Sequence, residues 1–291
     1  MCGIFGIIYN KPYSLSEHPF RGLIEDNYLK AEQRGKEATG IAINDGERIS
    51  IYNDSVTASK FIESKQYKHF FRDVAAVGSI VPSFSMLGHC RLATHGGSDN
   101  LLNNHPIISG NVVGVHNGII TNINNLYELT FSVSCHGKSD SRALFDLLNH
   151  ELNGCENIAQ KFHKLYRKAK GTLSLAFYHS EIDAVFLGSN FGSLYAHLAE
   201  DNSFFIFASE KYFLENLLVK HRGILGLMEK PEVKKIDKDS TYIIDTSVDG
   251  LKVNQYWDTS EENKFDFSGV KKKLVNFMKT PRNIKRCKRC V

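Results

Sequence analysis

The chain has 291 residues, of which 42% are apolar, 11% aromatic and 23% charged, with a formal net charge of +4. That is enough apolar material for one large globular domain, or one domain with a short appendage. Residues 264–291 hold ten Lys or Arg against the single Asp266, so the basic character belongs to the tail and the body gives no electrostatic reason to expect a nucleic-acid-binding face. The apolar run from Gly3 to Tyr9 is too short for a secretory signal and has no basic segment before it, and no run of about 18 apolar residues is able to cross a bilayer. A cytoplasmic protein is expected, with the six cysteines at 2, 90, 135, 155, 287 and 290 as reduced thiols rather than a disulfide framework.

In chain order, residues 2–9, 39–44, 49–53, 86–91 and 112–117 read as short apolar or β-branched strands bounded by Gly, Asn or Asp. Residues 20–34 read as a helix after Pro19, and Ser139–His150 and Ile158–Lys168 carry apolar residues at helical spacing. Strands return at 173–178, 183–188, 194–198, 204–208 and 241–245. Strands, a central helical pair and strands again predict an α+β layered fold rather than a regular βαβ alternation. Near residue 258 the strand pattern gives way to polar and charged residues, which sets an expected domain at 2–257 and a basic tail, or the start of a following domain, at 258–291.

Four segments carry side chains suited to chemistry. Cys2 follows the initiator methionine and precedes Gly3-Ile4-Phe5-Gly6-Ile7. Removal of Met1 puts a thiol and a free α-amine on one residue, and that amine, with an ordinary pKa of about 7.7–8.0, is a general base near neutrality. The plainer alternative is a buried residue opening the first strand. At Arg91 an apolar strand runs into a Gly-rich turn, His95-Gly96-Gly97, where a guanidinium can grip a carboxylate bidentately or simply face solvent. Asn117-Gly118 between two apolar runs reads as a hairpin turn, although an amide beside a flexible N–H is also the pair that holds an oxyanion. Ser139-Asp140 opens a helix, where either residue serves as an N-cap.

In this order on one chain, Cys2-Gly3-Ile4, the Arg34–Gly40 loop, His89 to Gly96, His105-Pro106, His116 to Ile120 and Asp140 resemble the class II glutamine amidotransferases. These are N-terminal-nucleophile hydrolases with an N-terminal cysteine, and the likeness is nearest to the glutaminase domain of glucosamine-6-phosphate synthases. It runs from residue 2 to about 250. The resemblance implies a four-layer α/β/β/α sandwich of two antiparallel sheets packed face to face. It implies that Cys2 is the nucleophile, that Asn117 and the Gly118 N–H form the oxyanion hole, and that Arg91 takes the α-carboxylate of L-glutamine. Asp140 would take the α-ammonium, with Thr94, His95 and Gly118 around the ligand. The reaction is then hydrolysis of the side-chain amide through a γ-glutamyl thioester, with no metal or organic cofactor, and the ammonia goes to a synthetase or amidotransferase unit, fused or separate. Two positions depart from the pattern: Leu92 stands where the family has Trp, and Cys90 where it has Thr. The sugar-isomerising half of the synthase has no counterpart in this sequence.

The tail ends in Cys287-Lys288-Arg289-Cys290-Val291, which supplies two thiolates, half of a tetrahedral zinc site. It resembles the opening of pyrophosphatase-loop amidotransferases and suggests a longer fusion, against a plain solvated basic tail. Three other functions compete with the glutaminase: an N-terminal-cysteine hydrolase of another amide, a glutamine-sensing module without catalysis, and a basic-tail binding protein, which rests on 28 residues and ignores the rest. The pairing of Arg91 with Asp140, which suits both charges of a free amino acid, opposes the first; retention of Cys2 opposes the second.

Overall fold

The computed structural model describes residues 1–10, 18–75, 84–92, 103–134, 139–154, 158–227, 231–247, 250–256 and 283–286. Among these residues, with elements numbered in chain order, one sheet contains β1 (Gly3–Tyr9), β2 (Ala38–Asn44), β3 (Arg48–Asp54), β4 (Phe84–Arg91), β9 (Tyr195–Leu198), β10 (Phe204–Ala208), β11 (Lys234–Lys235) and β14 (Asn283–Arg286). Its spatial order is β11-β9-β10-β1-β4-β2-β3-β14. The second sheet contains β5 (Ile107–Ser109), β6 (Val112–Ile120), β7 (Gly171–His179), β8 (Ala184–Ser189), β12 (Ser240–Asp245) and β13 (Lys252–Tyr256), in the order β13-β12-β8-β7-β6-β5.

Period-2 alternation along the strands sorts their side chains into three apolar layers. Phe5 and Ile7 of β1, Met86 of β4 and Ile206 of β10 pack outward against α1 (His18–Ala31), α2 (Ala58–Glu63), α3 (Lys65–Ala75) and α7 (Lys211–Lys220). Leu173, Leu175 and Phe177 of β7 pack outward on the other side against α4 (Ile123–Phe131), α5 (Asp140–Leu152) and α6 (Ile158–Lys168). Between the sheets lie Ile4, Ile8, Leu87, Val113, Val115, Ala176 and Leu187. Each of the Ile, Leu and Val side chains, fully buried, contributes roughly 1.5–3 kcal/mol of transfer free energy. The order helices, sheet, sheet, helices is the four-layer sandwich implied by the motif resemblance.

Three local readings need correction. Asn117-Gly118 is not a hairpin turn: β6 continues through both residues to Ile120, because β7 pairs with it along its whole length from Val112↔His179 to Ile120↔Gly171. The helix over 20–34 ends at Ala31, and Glu32–Arg34 form a 3₁₀ turn before Gly35. A Cβ at Gly35 would lie 2.4 Å from the Arg91 carbonyl carbon, so only glycine lets this turn close against the end of β4. Strand structure also does not stop near 258, since β14 adds to β3 in parallel, the one departure from antiparallel pairing among the described ladders. No helix among the described residues is long and apolar enough to cross a membrane.

Candidate active site

Register brings Cys2, Arg91 and Asn117 to one end of the space between the sheets. β1 and β4 are antiparallel with Gly3 opposite Cys90, which sets Cys2 opposite Arg91. Ile4 and Leu87 face the second sheet, so the residues two before and four after them, Cys2 and Arg91, share that inward face by parity. Val113 and Val115 of β6 face the first sheet, and Asn117 follows at the same parity. His116, one residue out of phase, points the other way and its Nδ1 meets Ser141 Oγ of α5 at 2.8 Å. β6 packs across the interlayer on β1 and β4.

The thiol of Cys2 sits against the main chain of Leu92, which donates its N–H to Sγ at 3.4 Å and presents its carbonyl oxygen at 3.5 Å. Burial pushes the Cys2 thiol pKa up; the Leu92 N–H, the amino terminus and the Arg91 and Arg34 guanidinium groups act in the opposite direction. The Cys2 carbonyl accepts from Arg34 Nε at 3.0 Å. Arg91 is buried and donates from Nη1 to Asn104 Oδ1 at 2.8 Å, and Asn104 Nδ2 in turn donates to Ser55 Oγ at 3.2 Å. The guanidinium is thus oriented by a neutral amide.

Asn117 is 1% exposed, yet neither its Nδ2 nor its Oδ1 has a hydrogen-bond partner among the described residues. Buried side-chain amides are normally satisfied, so an orphaned one on the face opposite a thiol is suited to an incoming polar group. Gly118 has φ +146°, and a Cβ there would lie 2.0 Å from the Thr172 carbonyl oxygen. Glycine is required at this point of the strand. Behind the site, His89 Nε2–H donates to the His116 carbonyl at 3.3 Å, tying β4 to the peptide that leads into Asn117. His105 stacks on His89 with ring centroids 4.1 Å apart. Burial drives the His89 pKa down to about 3 and that of His105 well below the usual histidine range, so both rings are neutral.

Asp140 heads α5, where Ser139 Oγ caps Arg142 N. Its Oδ2 accepts from Ile120 N at 3.0 Å and its Oδ1 from Ser141 N at 2.8 Å, which fixes the carboxylate two residues beyond Gly118. Thr94, His95, Cys135, Cys155, Cys287 and Cys290 lie outside the described residues. Cys90 is fully buried with its pKa raised well above the ordinary value by burial, as suits an unreactive thiol. Arg34 of the Arg-Gly loop holds the Cys2 carbonyl directly, whereas Ser209 and Glu210, which no motif marked, reach that end of β1 through Ile4 and Arg34. Ser209 Oγ accepts from Ile4 N at 2.7 Å and donates to Ile4 O at 2.8 Å, and Glu210 pairs with the Arg34 guanidinium.

Residues 89–216 match the family described as "Glutamine amidotransferase domain". Among curated proteins, the glutamine--fructose-6-phosphate aminotransferase (isomerizing) of Thermococcus kodakarensis is 30% identical over 209 residues, covering 70% of this chain and 32% of that protein. Its namesake from Chlamydia caviae is 26% identical over 268 residues, covering 87% of this chain and 41% of that protein. This chain therefore spans well under half the length of these relatives. Among solved structures, the phosphoribosylpyrophosphate amidotransferase of Bacillus subtilis superposes with TM-score 0.56 at 18% identity, covering 87% of this chain and 49% of that one. A structure described as the allosteric regulatory enzyme of purine biosynthesis gives TM-score 0.61 at 19% identity with the same coverage. These two similarities establish the fold.

Proposed function

We propose, from the premise that this chain belongs to the class II glutamine amidotransferases, that Cys2 becomes the first residue on loss of Met1 and splits the side-chain amide of glutamine. The observation that carries this reading is the convergence of Cys2, opposite Arg91 on one sheet, with the unpartnered Asn117 amide on the facing sheet. In this reading the Cys2 thiol gives its proton to the α-amine as sulfur attacks the amide carbon. The new oxyanion is held by Asn117 Nδ2 and the Gly118 N–H. Collapse expels ammonia, which takes the proton, and water then cleaves the γ-glutamyl thioester to release glutamate and restore the thiol.

Arg91 receives the substrate α-carboxylate, since a buried guanidinium aligned by Asn104 offers parallel N–H donors. Asp140 receives the α-ammonium through the lone pairs that its two main-chain donors leave available. The motif resemblance assigns Thr94 and His95 to the glutamine ligand as well. No cofactor enters this half-reaction. The ammonia acceptor is made by a synthetase or amidotransferase unit joined to this chain or bound to it, because the relatives in which the domain occurs are two to three times longer than the matched segment.

The test is intact-mass analysis after exposure to 6-diazo-5-oxo-norleucine, a glutamine-like electrophile, alongside glutamate release. One adduct on residue 2 and loss of both signals in Cys2→Ala are expected. Labelling at Cys90, or glutaminase activity in Cys2→Ala, would refute the reading.

A further inference from the structure

The nucleophile proposed above sits at a strand end, and its support is asymmetric. On one side β4 continues alongside it, with Gly3 opposite Cys90. On the other side the β1–β10 ladder stops at Phe5↔Ala208, two residues short of Gly3. From that point the chain turns toward α7, and one further main-chain bond is joined by side-chain contacts. The Ser209 main-chain N–H donates to Ile4 O at 2.9 Å, and Ser209 Oγ bridges the N–H and C=O of the same residue. The next residue, Glu210, pairs with Arg34 Nη1, and Arg34 Nε donates to the Cys2 carbonyl at 3.0 Å.

We infer that Glu210 is a positioning residue for Cys2: it aims the Arg34 guanidinium, which holds the Cys2 carbonyl and so sets where the thiol and the α-amine lie. This rests on the reading of Cys2 as nucleophile. The physical argument is geometric. An arginine side chain has several rotatable bonds, and a single Nε–H···O contact leaves the far end of its fork undirected. A carboxylate on that far end removes the freedom. The Arg34 side chain is only 11% exposed, against 35% for Glu210, so the ion pair is partly shielded and its geometry is retained better than that of a surface pair. A second contact docks the same 3₁₀ turn on α7, Tyr212 O–H to Gln33 Oε1 at 2.6 Å, with Tyr212 an electrostatic neighbour of Arg34 but its hydrogen bond made to Gln33. That contact separates docking of the turn from aiming of the guanidinium.

The experiment compares wild type, Glu210→Gln, Glu210→Asp and Tyr212→Phe in the full chain, measuring kcat and KM for glutamine, the rate at which diazo-oxo-norleucine labels Cys2, and the unfolding temperature. In Glu210→Gln, kcat and the labelling rate are expected to fall together by about tenfold or more, as for loss of one charge-assisted contact, while KM stays within about twofold. Glu210→Asp should recover part of the loss, and Tyr212→Phe should keep the wild-type kcat. Unchanged kcat and labelling in Glu210→Gln would overturn the inference, as would an equal fall in Tyr212→Phe or a fall that merely tracks the unfolding temperature. A wild-type chain that neither labels at Cys2 nor releases glutamate would instead overturn the reading of the site itself.

Discussion

Replacing Asn117 by leucine separates a binding role for its amide from a structural one. The side chain is 1% exposed and both polar atoms lack partners, so the folded chain carries the desolvation cost of an amide with no compensating bond. Such a group costs about 1–3 kcal/mol, and leucine, close in volume, removes it and adds apolar contact with the Val113 and Val115 layer. Asn117→Leu is therefore expected to raise stability by about 1 kcal/mol or more, which for a chain of this order of size is roughly 2–4 °C in Tm. The same change removes an oxyanion donor, for which about 2.7–4 kcal/mol of barrier, or roughly a hundred- to a thousandfold in kcat, is typical. Thermal unfolding followed by circular dichroism and a coupled glutamate assay read the two effects separately. A variant that loses stability and activity together would refute the reasoning, because it would show that the amide has a structural partner in the working protein.

Three further outcomes follow from the same geometry. Arg91→Ala should lower kcat/KM for glutamine by roughly ten- to a hundredfold or more through loss of a charge-assisted contact; unchanged kinetics would remove Arg91 from the site. Gly118→Ala places a Cβ 2.0 Å from Thr172 O at φ +146°, so it should cost at least the roughly 1–3 kcal/mol typical of a disallowed backbone conformation, together with most of the activity; a stable and active variant would contradict the placement of β6. His89, held neutral with a folded pKa of about 3, takes up its proton in the unfolded chain first, near the ordinary 6.5. Its contribution to stability is thus complete above about pH 6.5 and is lost at about 1.4 kcal/mol per pH unit as the pH falls toward 3. Urea unfolding at pH 7 and pH 5 should show the loss, with a shallower slope in His89→Gln; equal slopes would refute it.

Ten of the fourteen strands among the described residues and two of the helices are legible because burial on one or both faces imposes a period on the sequence; β5, β11, β13 and β14 are not. Ile158–Lys168 was read to the residue, and Phe204–Ala208 likewise. The motif order suggested the proposed chemistry, since each motif is a local arrangement: a cysteine after the initiator methionine, an arginine ending a strand, an amide followed by glycine. Local reading failed where a distant strand decides the backbone. Asn117-Gly118 has the composition of a turn, but β7 offers nine paired positions and draws both residues into β6. It failed again at β14, whose pairing with β3 depends on residues more than 200 positions earlier. The same limit applies inside the site. Sequence named Cys2, Arg91, Asn117 and Asp140, but bringing the first three to one face required strand register and the facing of two sheets, and Asp140 is held beside β6 by its bond to Ile120 N. Ser209, which holds Ile4, and Glu210, which pairs with Arg34, follow β10 more than 200 residues from Cys2, and no spacing rule connects them to it. Side-chain identity and local periodicity are properties of neighbours along the chain, whereas the electrostatic and hydrogen-bonded surroundings of the thiol are set by whichever segments the packed core brings beside it.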